Sequence, residues 1–258
     1  MTRSRAVLVG LVLALAAVGC GGDDDAADGR TTTTEAPTTE ASSTEPSSTS
    51  EPDDPTTSET PTDTIPESEL PGERLDIYPY ADAPLAVVGV EADDELNARS
   101  GPGTSYGVLF TLGPTDDGFA ALGHNRTVGE SFWVLVEADG RAGWVHGGYV
   151  AIPGATNDVT SALPADLGGE TMLDVAEAVA AARVGDAPAP RTAVVAGPTV
   201  GDLGEVTVDV IGFADDSLKG ERLHVFASEL DSGEGFVVRT VEATALCARG
   251  VTADGLCT

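Results

Sequence analysis

Apolar and polar residues fall into four successive textures along the chain. Residues 6–18 form an apolar run, preceded by Arg3 and Arg5 and followed by Gly19 and Cys20. Residues 21–72 lack any aromatic residue, and their only large aliphatics are Ile65 and Leu70. From residue 75 to 152, short β-type runs alternate with Gly, Pro and Asp turns, which predicts strands over 87–90, 96–99, 107–112, 132–137 and 143–150. Phe132 to Val136 alternates sides, Asp139-Gly140 supplies a hairpin turn, and the strand ending at Arg99 runs directly into the tight Ser100-Gly101-Pro102-Gly103 loop. The stretch 113–129 reads as one long loop, a place where partner selectivity could be encoded. Spacing of this kind suits a small β-barrel.

Residues 158–258 have a different rhythm. A helix is expected over 170–183, with Thr171 as N-cap, Asp174 three positions on, Arg183 near the negative end of the dipole, and Met172, Val175, Ala176 and Val179 on one apolar face. Beyond the prolines at 188 and 190, strands are expected over 192–196, 205–213, 222–228 and 235–246. Val206, Val208 and Val210 alternate with Thr207 and Asp209, so the sheet should have one dry face and one wet face. A helix covering an antiparallel sheet is the simplest way to bury both apolar surfaces. The expected fold class is therefore mainly β: a small barrel over 73–153, a second small α+β domain over 158–258, and a disordered stalk before them.

Charge sharpens this picture. The 258 residues carry 43 acids against 13 bases, a net charge of −30, which excludes binding to duplex nucleic acid through a basic face. Fourteen of the acids lie in residues 21–72, where Arg30 is the only base. Such a segment cannot bury enough apolar area to offset a backbone ordering cost of about 1–2 kcal/mol per residue. Its recurrent prolines and like charges favour an extended, hydrated spacer. The density of Ser and Thr would also suit O-glycosylation.

The N-terminus has the form of a secretory signal over 1–19, its apolar run being shorter than the roughly 20 residues a spanning helix needs. Ala17-Val18-Gly19-Cys20 resembles the lipobox of bacterial lipoproteins, with Ala17 where leucine is common. The resemblance implies that Cys20 receives a diacylglyceryl group, becomes the new N-terminus and is acylated again, as with palmitate. Two or more acyl chains anchor stably where one is marginal. The expected location is then the extracytoplasmic face of the cell membrane, with the lipid bilayer as a partner. The rival is an ordinary cleaved signal in which Cys20 is incidental. With Cys20 committed to lipid, Cys247 and Cys257 are left to pair in an exported chain.

The sequence LNARSGPGTS from Leu96, followed by FWVLVEADGRAGWVHGGYV from Phe132, resembles the bacterial SH3-like domain, with Ala98 where a larger aliphatic is commoner. The resemblance implies a barrel that binds peptidoglycan stem peptides, another envelope polymer or a protein, or that supports a neighbouring domain. Candidate contact residues are Arg99, Tyr106, Trp133, Trp144 and Tyr149. Trp133 and Trp144 equally suit a core role, and Arg99 equally suits bracing of the Gly-Pro-Gly loop. Residues 158–258 resemble the C-terminal segments of actinobacterial envelope proteins through Cys247-Ala248-Arg249-Gly250-Val251, a likeness that carries no activity.

Catalytic motifs are not apparent. A cysteine nucleophile would need a free thiol near a histidine, and Cys247 and Cys257 are expected to be oxidised. His124, His146 and His224 do not cluster in sequence as zinc ligands do. Neither a phosphate loop nor a Gly-x-Ser-x-Gly elbow occurs. The doublets Asp116-Asp117 and Asp215-Asp216 could hold calcium but match no EF-hand loop. The expectation is a non-catalytic protein without cofactor or metal; the alternative is a cell-envelope hydrolase with its active site in 158–258.

Overall fold

The computed structural model describes residues 65–184, 190–213 and 215–258. The signal peptide, Cys20 and the stalk as far as residue 64 lie outside the described residues. The first strands are β1 (Glu73–Leu75), β2 (Pro84–Val87), β3 (Leu96–Arg99), β4 (Val108–Leu112), β5 (Asp117–Val128), β6 (Ser131–Ala138), β7 (Arg141–His146) and β8 (Val150–Asp158). There follow β9 (Gly168–Gly169), helix α1 (Met172–Val184), β10 (Arg191–Val200), β11 (Gly204–Ile211), β12 (Leu218–Glu229) and β13 (Phe236–Cys247). The fold is mostly β, antiparallel throughout the described pairings, with one α-helix among the described residues. That helix is not long and apolar enough to cross a membrane.

Strand order runs β10-β11-β12-β13-β8-β2-β5-β6-β7-β3-β4, with β1 on β5 and β9 on β13. The other expected strands are present, several of them longer than the sequence suggested, but the strand expected over 87–90 lies at Pro84–Val87 and ends before Gly89, whose positive φ turns the chain out of the sheet. The expected return strand over 143–150 is divided: β7 ends at His146, a 3-10 turn occupies Gly147–Tyr149, and β8 begins at Val150. β8 then serves two partners. Val150 and Ala151 pair with β2, while Ile152 to Asp158 pair with β13.

The stretch 113–129 is not one long loop, because most of it is β5, which pairs with β1, β2 and β6. Its alternation is hidden by Gly118 and Gly123, both at positive φ, and by a bulge between Ala121 and Asn125. It is also hidden by polar residues that turn inward: Asn125 and Arg126 are buried. Asn125 donates from Nδ2 to the carbonyls of Ile77 and Pro79 at 2.6 and 3.0 Å. Arg126 donates to the carbonyls of Leu70, Pro71 and Gly72 at 2.9–3.2 Å. Residues 65–72, read from composition as the end of the stalk, are thereby held against the barrel. Their carbonyls have few ladder partners, so side-chain donors satisfy them instead.

In the second half, Val206, Val208 and Val210 of β11 and Leu223, Val225 and Ala227 of β12 bury one sheet face beneath α1. The helix presents Met172, Val175, Ala176, Val179 and Ala180, the face expected from its periodicity. Thr171 and Asp174 cap it reciprocally, Asp174 N–H donating to Thr171 Oγ1 at 3.2 Å and Thr171 N–H to Asp174 Oδ2 at 2.9 Å. At the other end Arg183 forks onto Glu221 at 2.6 and 2.9 Å.

The second face of β11, expected to be wet, is covered at its C-terminal end because it meets the barrel there: Asp209 and Ile211 are both buried. Asp209 is fully buried and accepts from Arg222 Nε and Nη2 at 2.7 and 2.9 Å. The pair reaches across to the barrel backbone: Arg222 donates to Val87 O and Pro114 O at 2.7 and 3.1 Å, and Gly89 N–H donates to Asp209 at 2.8 Å. Val88, Ala151, Ile211 and Leu246 form a small apolar cluster alongside. Lys219 donates to the carbonyls of Gly147 and Val150 at 2.8 and 2.7 Å. Burial, with Arg191 adding repulsion, lowers its pKa to about 8. Cys247 and Cys257 are disulfide-bonded, as expected, and Cys247 packs into the barrel core beside Ile152.

Asp209→Ala leaves Arg222 buried without its counter-charge and is expected to destabilise the protein by about 3–5 kcal/mol in guanidinium denaturation. The double substitution Asp209→Leu with Arg222→Met is expected to lose far less. Equal losses for the two would mean that charge pairing contributes little at this junction.

Candidate functional site

The barrel folds so that β3, β6 and the 3-10 turn after β7 converge on one side. There a cleft of about 420 Å³ opens between the loop 89–95, the first residues of β3 and the start of β10. Its wall contains Trp133 from β6, His146 from the end of β7 and Tyr149 from the turn. The Trp133 and His146 rings meet edge to face with centroids 5.4 Å apart, and His146 meets Tyr149 at 5.6 Å. Such contacts hold the three rings as one surface.

His146 is neutral in this setting. Its Nδ1 accepts the Gly148 N–H at 3.1 Å, which places the ring proton on Nε2. Burial lowers its pKa, and the nearby cations Lys219 and Arg191 push it further the same way.

The charged groups of the cleft divide by sign. Glu91, Asp94 and Glu95 lie along the loop, while Arg99 and Arg191 bring positive charge from β3 and β10. Arg99 donates to the carbonyls of Tyr106 and Thr104 at 2.8 and 3.3 Å, so it braces the Ser100–Tyr106 turn while lining the cleft. Arg191 lies over the Tyr149 ring, 5.0 Å from its centroid, in a cation–π contact. Among the described residues neither arginine has a carboxylate within ion-pair distance, and Asp94 and Glu95 have no cation there.

Three of the five candidate residues thus come together: Arg99, Trp133 and Tyr149 all line the cleft. Trp133 contributes only an edge, being 3 % exposed. Tyr106 folds back instead, its ring over Gly101, where a Cβ would come within 2.7 Å of it. Trp144 is buried and lines a separate pocket of about 180 Å³ with Ile65, Leu70, Arg126 and Leu135, beneath the segment that Arg126 clasps. His146 and Arg191 are the functional candidates that the sequence reading passed over. His146 adjoins the Gly-Trp-Val signature and could have been found there. Arg191 belongs to the other half of the chain, and only the folded sheet brings it to the cleft.

Three of the four aspartates in the two doublets are engaged by neighbouring groups. Asp215 accepts from Ser217 N–H, Leu218 N–H and Ser217 Oγ at 2.7–2.8 Å, and Asp216 pairs with Arg249 at 3.0 Å. Asp116 accepts the Gly113 N–H at 2.8 Å. His224 pairs with Glu205 and stacks near Phe226. Among the described residues no group of three His, Cys, Asp or Glu side chains is placed to hold a metal ion.

The geometry so far defines a small antiparallel barrel with an aromatic cleft flanked by uncompensated charge. Residues 94–151 match the family model of the bacterial SH3 domain. The matched segment runs from the loop before β3 into β8 and contains Arg99, Tyr106, Trp133, Trp144, His146 and Tyr149. No curated protein and no solved structure matches the chain.

Titration of the His146 ring by NMR is expected to give a pKa below 6.5, the ordinary value. The unfolded chain therefore takes up its proton first as pH falls. The corresponding stability is present above about pH 6.5 and is lost as the pH drops through the folded-state value. His146→Gln is expected to remove that part of the acid sensitivity; an unchanged stability profile would refute the assignment.

Proposed function

We propose that this protein is a non-catalytic envelope lipoprotein, anchored through acylated Cys20, whose bacterial SH3 domain binds cell-wall peptide. The observation that carries the binding part is the convergence of Arg99, Trp133 and Tyr149 on one cleft within the matched segment. Bacterial SH3 domains often bind peptidoglycan or proteins. An aromatic wall flanked by charged groups of both signs suits a short, flexible peptide, because rigid rings supply contact area at little entropic cost and the charges can meet its polar ends.

The anchoring part rests on the sequence around Cys20. The acidic, proline-rich residues between that cysteine and Ile65 would hold the barrel away from the bilayer surface and let it search the wall. A negatively charged spacer and an anionic membrane surface repel one another, which favours this outward placement.

Purified muropeptides titrated into the protein are expected to shift the NMR signals of Trp133, His146 and Tyr149. Tyr149→Ala is expected to weaken that binding by at least about tenfold, the effect of losing a central aromatic anchor. Unmoved signals would remove the cell-wall reading. A protein ligand captured at the same residues would replace it.

Full-length protein made in a bacterial host should enter the detergent phase on cloud-point partitioning, and Cys20→Ala should leave it in the aqueous phase. Wild-type protein that stays aqueous would rule out the lipid anchor.

A further inference from the structure

The function of residues 158–258 can be argued from the cleft itself. We propose that this second half supplies the specificity wall of the SH3 cleft, and that Arg191 reads a free carboxylate on the peptide ligand. The proposal rests on the reading of the cleft as a ligand site and goes beyond it by naming the group recognised and the residue responsible.

Arg191 is the first residue of β10 and pairs with Ile211 of β11. Its guanidinium carbon lies over the Tyr149 ring, and no carboxylate among the described residues neutralises it. Of the other cations nearby, Lys219 serves the carbonyls of Gly147 and Val150, and Arg99 commits its Nη1 to those of Thr104 and Tyr106. Arg191 commits no donor to a carbonyl or carboxylate among the described residues, and its planar fork matches a carboxylate.

The barrel makes room for this arginine. Gly89 sits at φ +65°, and a Cβ there would lie 2.7 Å from Arg191 Nη2. A side chain at position 89 would displace the guanidinium. The same glycine donates its N–H to Asp209, so one residue both fixes the junction and admits the arginine.

β10 is also fixed relative to the cleft. Ala92 N–H donates to Val194 O at 2.8 Å, and Val194 N–H donates to Glu91 Oε2 at 3.1 Å. These bonds join the loop lining the cleft to the strand carrying Arg191, so the cation is held in place before any ligand arrives. Pre-placement of this kind lowers the ordering cost of binding. Glu91, Asp94 and Glu95 on the same loop repel a carboxylate and attract an amine. A peptide with a free carboxylate and a protonated amine would thus lie in one direction, with its carboxylate at Arg191.

The test compares N-acetyl-alanyl-alanine with its C-terminal amide, titrated into the full mature chain and followed by the Trp133 indole and His146 ring signals. The free acid is expected to bind about tenfold more tightly than the amide. Arg191→Gln is expected to abolish that preference, and Arg191→Lys to retain part of it. Equal binding of the two probes to wild type, no binding of either, or a preference that survives Arg191→Gln would overturn the proposal. Muropeptide binding without an acid preference would remove the role of Arg191 and leave the cell-wall reading standing. An acid preference without muropeptide binding would do the reverse.

Discussion

A buried ion pair, Asp209 with Arg222, is the polar centre of the contact between the two halves of the described chain, whose sheet runs continuously from one to the other through β8. Removing both charges from water costs several kcal/mol per ion, and only close contacts on every side offset it. Those contacts come partly from the partner strand and partly from the barrel backbone at Val87, Gly89 and Pro114. Apolar contact is non-directional, so the neighbouring cluster of Val88, Ala151, Ile211 and Leu246 could slide or rotate. Donors aimed at particular carbonyls cannot. The pair therefore adds direction to a junction that β8 already ties by its ladders to β2 and β13, and the apolar cluster adds area.

The same device recurs around the barrel. Arg126 and Asn125 hold the incoming chain by its carbonyls, and Lys219 holds the 3-10 turn that carries Tyr149. In each case a long polar side chain replaces the ladder partner that an irregular segment lacks. Cationic and amide donors do this well because they offer several N–H groups from one residue. The cleft gains rigidity as a result, since its turn, its loop and its distant arginine are each tied to a sheet.

A rigid cleft suits the binding role proposed for the barrel, because a surface fixed beforehand lowers the ordering cost of binding. At Ile65 the backbone N–H bonds to Ser100 O at 3.2 Å, and Ile65 and Leu70 line one pocket with Trp144, Leu135 and Arg126.

How much of this was legible in the sequence varies with the range of the interaction. The strands at 96–99 and 107–112, the hairpin at Asp139-Gly140, the capped helix and the single dry face of β11 all follow from local periodicity and turn chemistry, because neighbours in sequence are neighbours there. So does the disulfide, once the cysteines are counted. β5 was not legible, because its inward residues are polar and its glycines break the alternation; only the clasped segment 70–79 explains why Asn125 and Arg126 are buried. The cleft was half legible. Arg99, Trp133 and Tyr149 were candidates by position within a recognisable pattern, while Tyr106 and Trp144 were separated from them by packing against Gly101 and against the segment from Ile65. Arg191 could not be found at all, since its place beside Tyr149 depends on the pairing of β10 with β11 and on the bonds between β10 and the loop at Glu91 and Ala92. Sequence by itself determined the elements, the charge and the SH3 signature, all properties of short stretches. The composite cleft was decided by tertiary structure alone, because Arg191 and the barrel residues that line it lie far apart along the chain and meet only in the folded sheet.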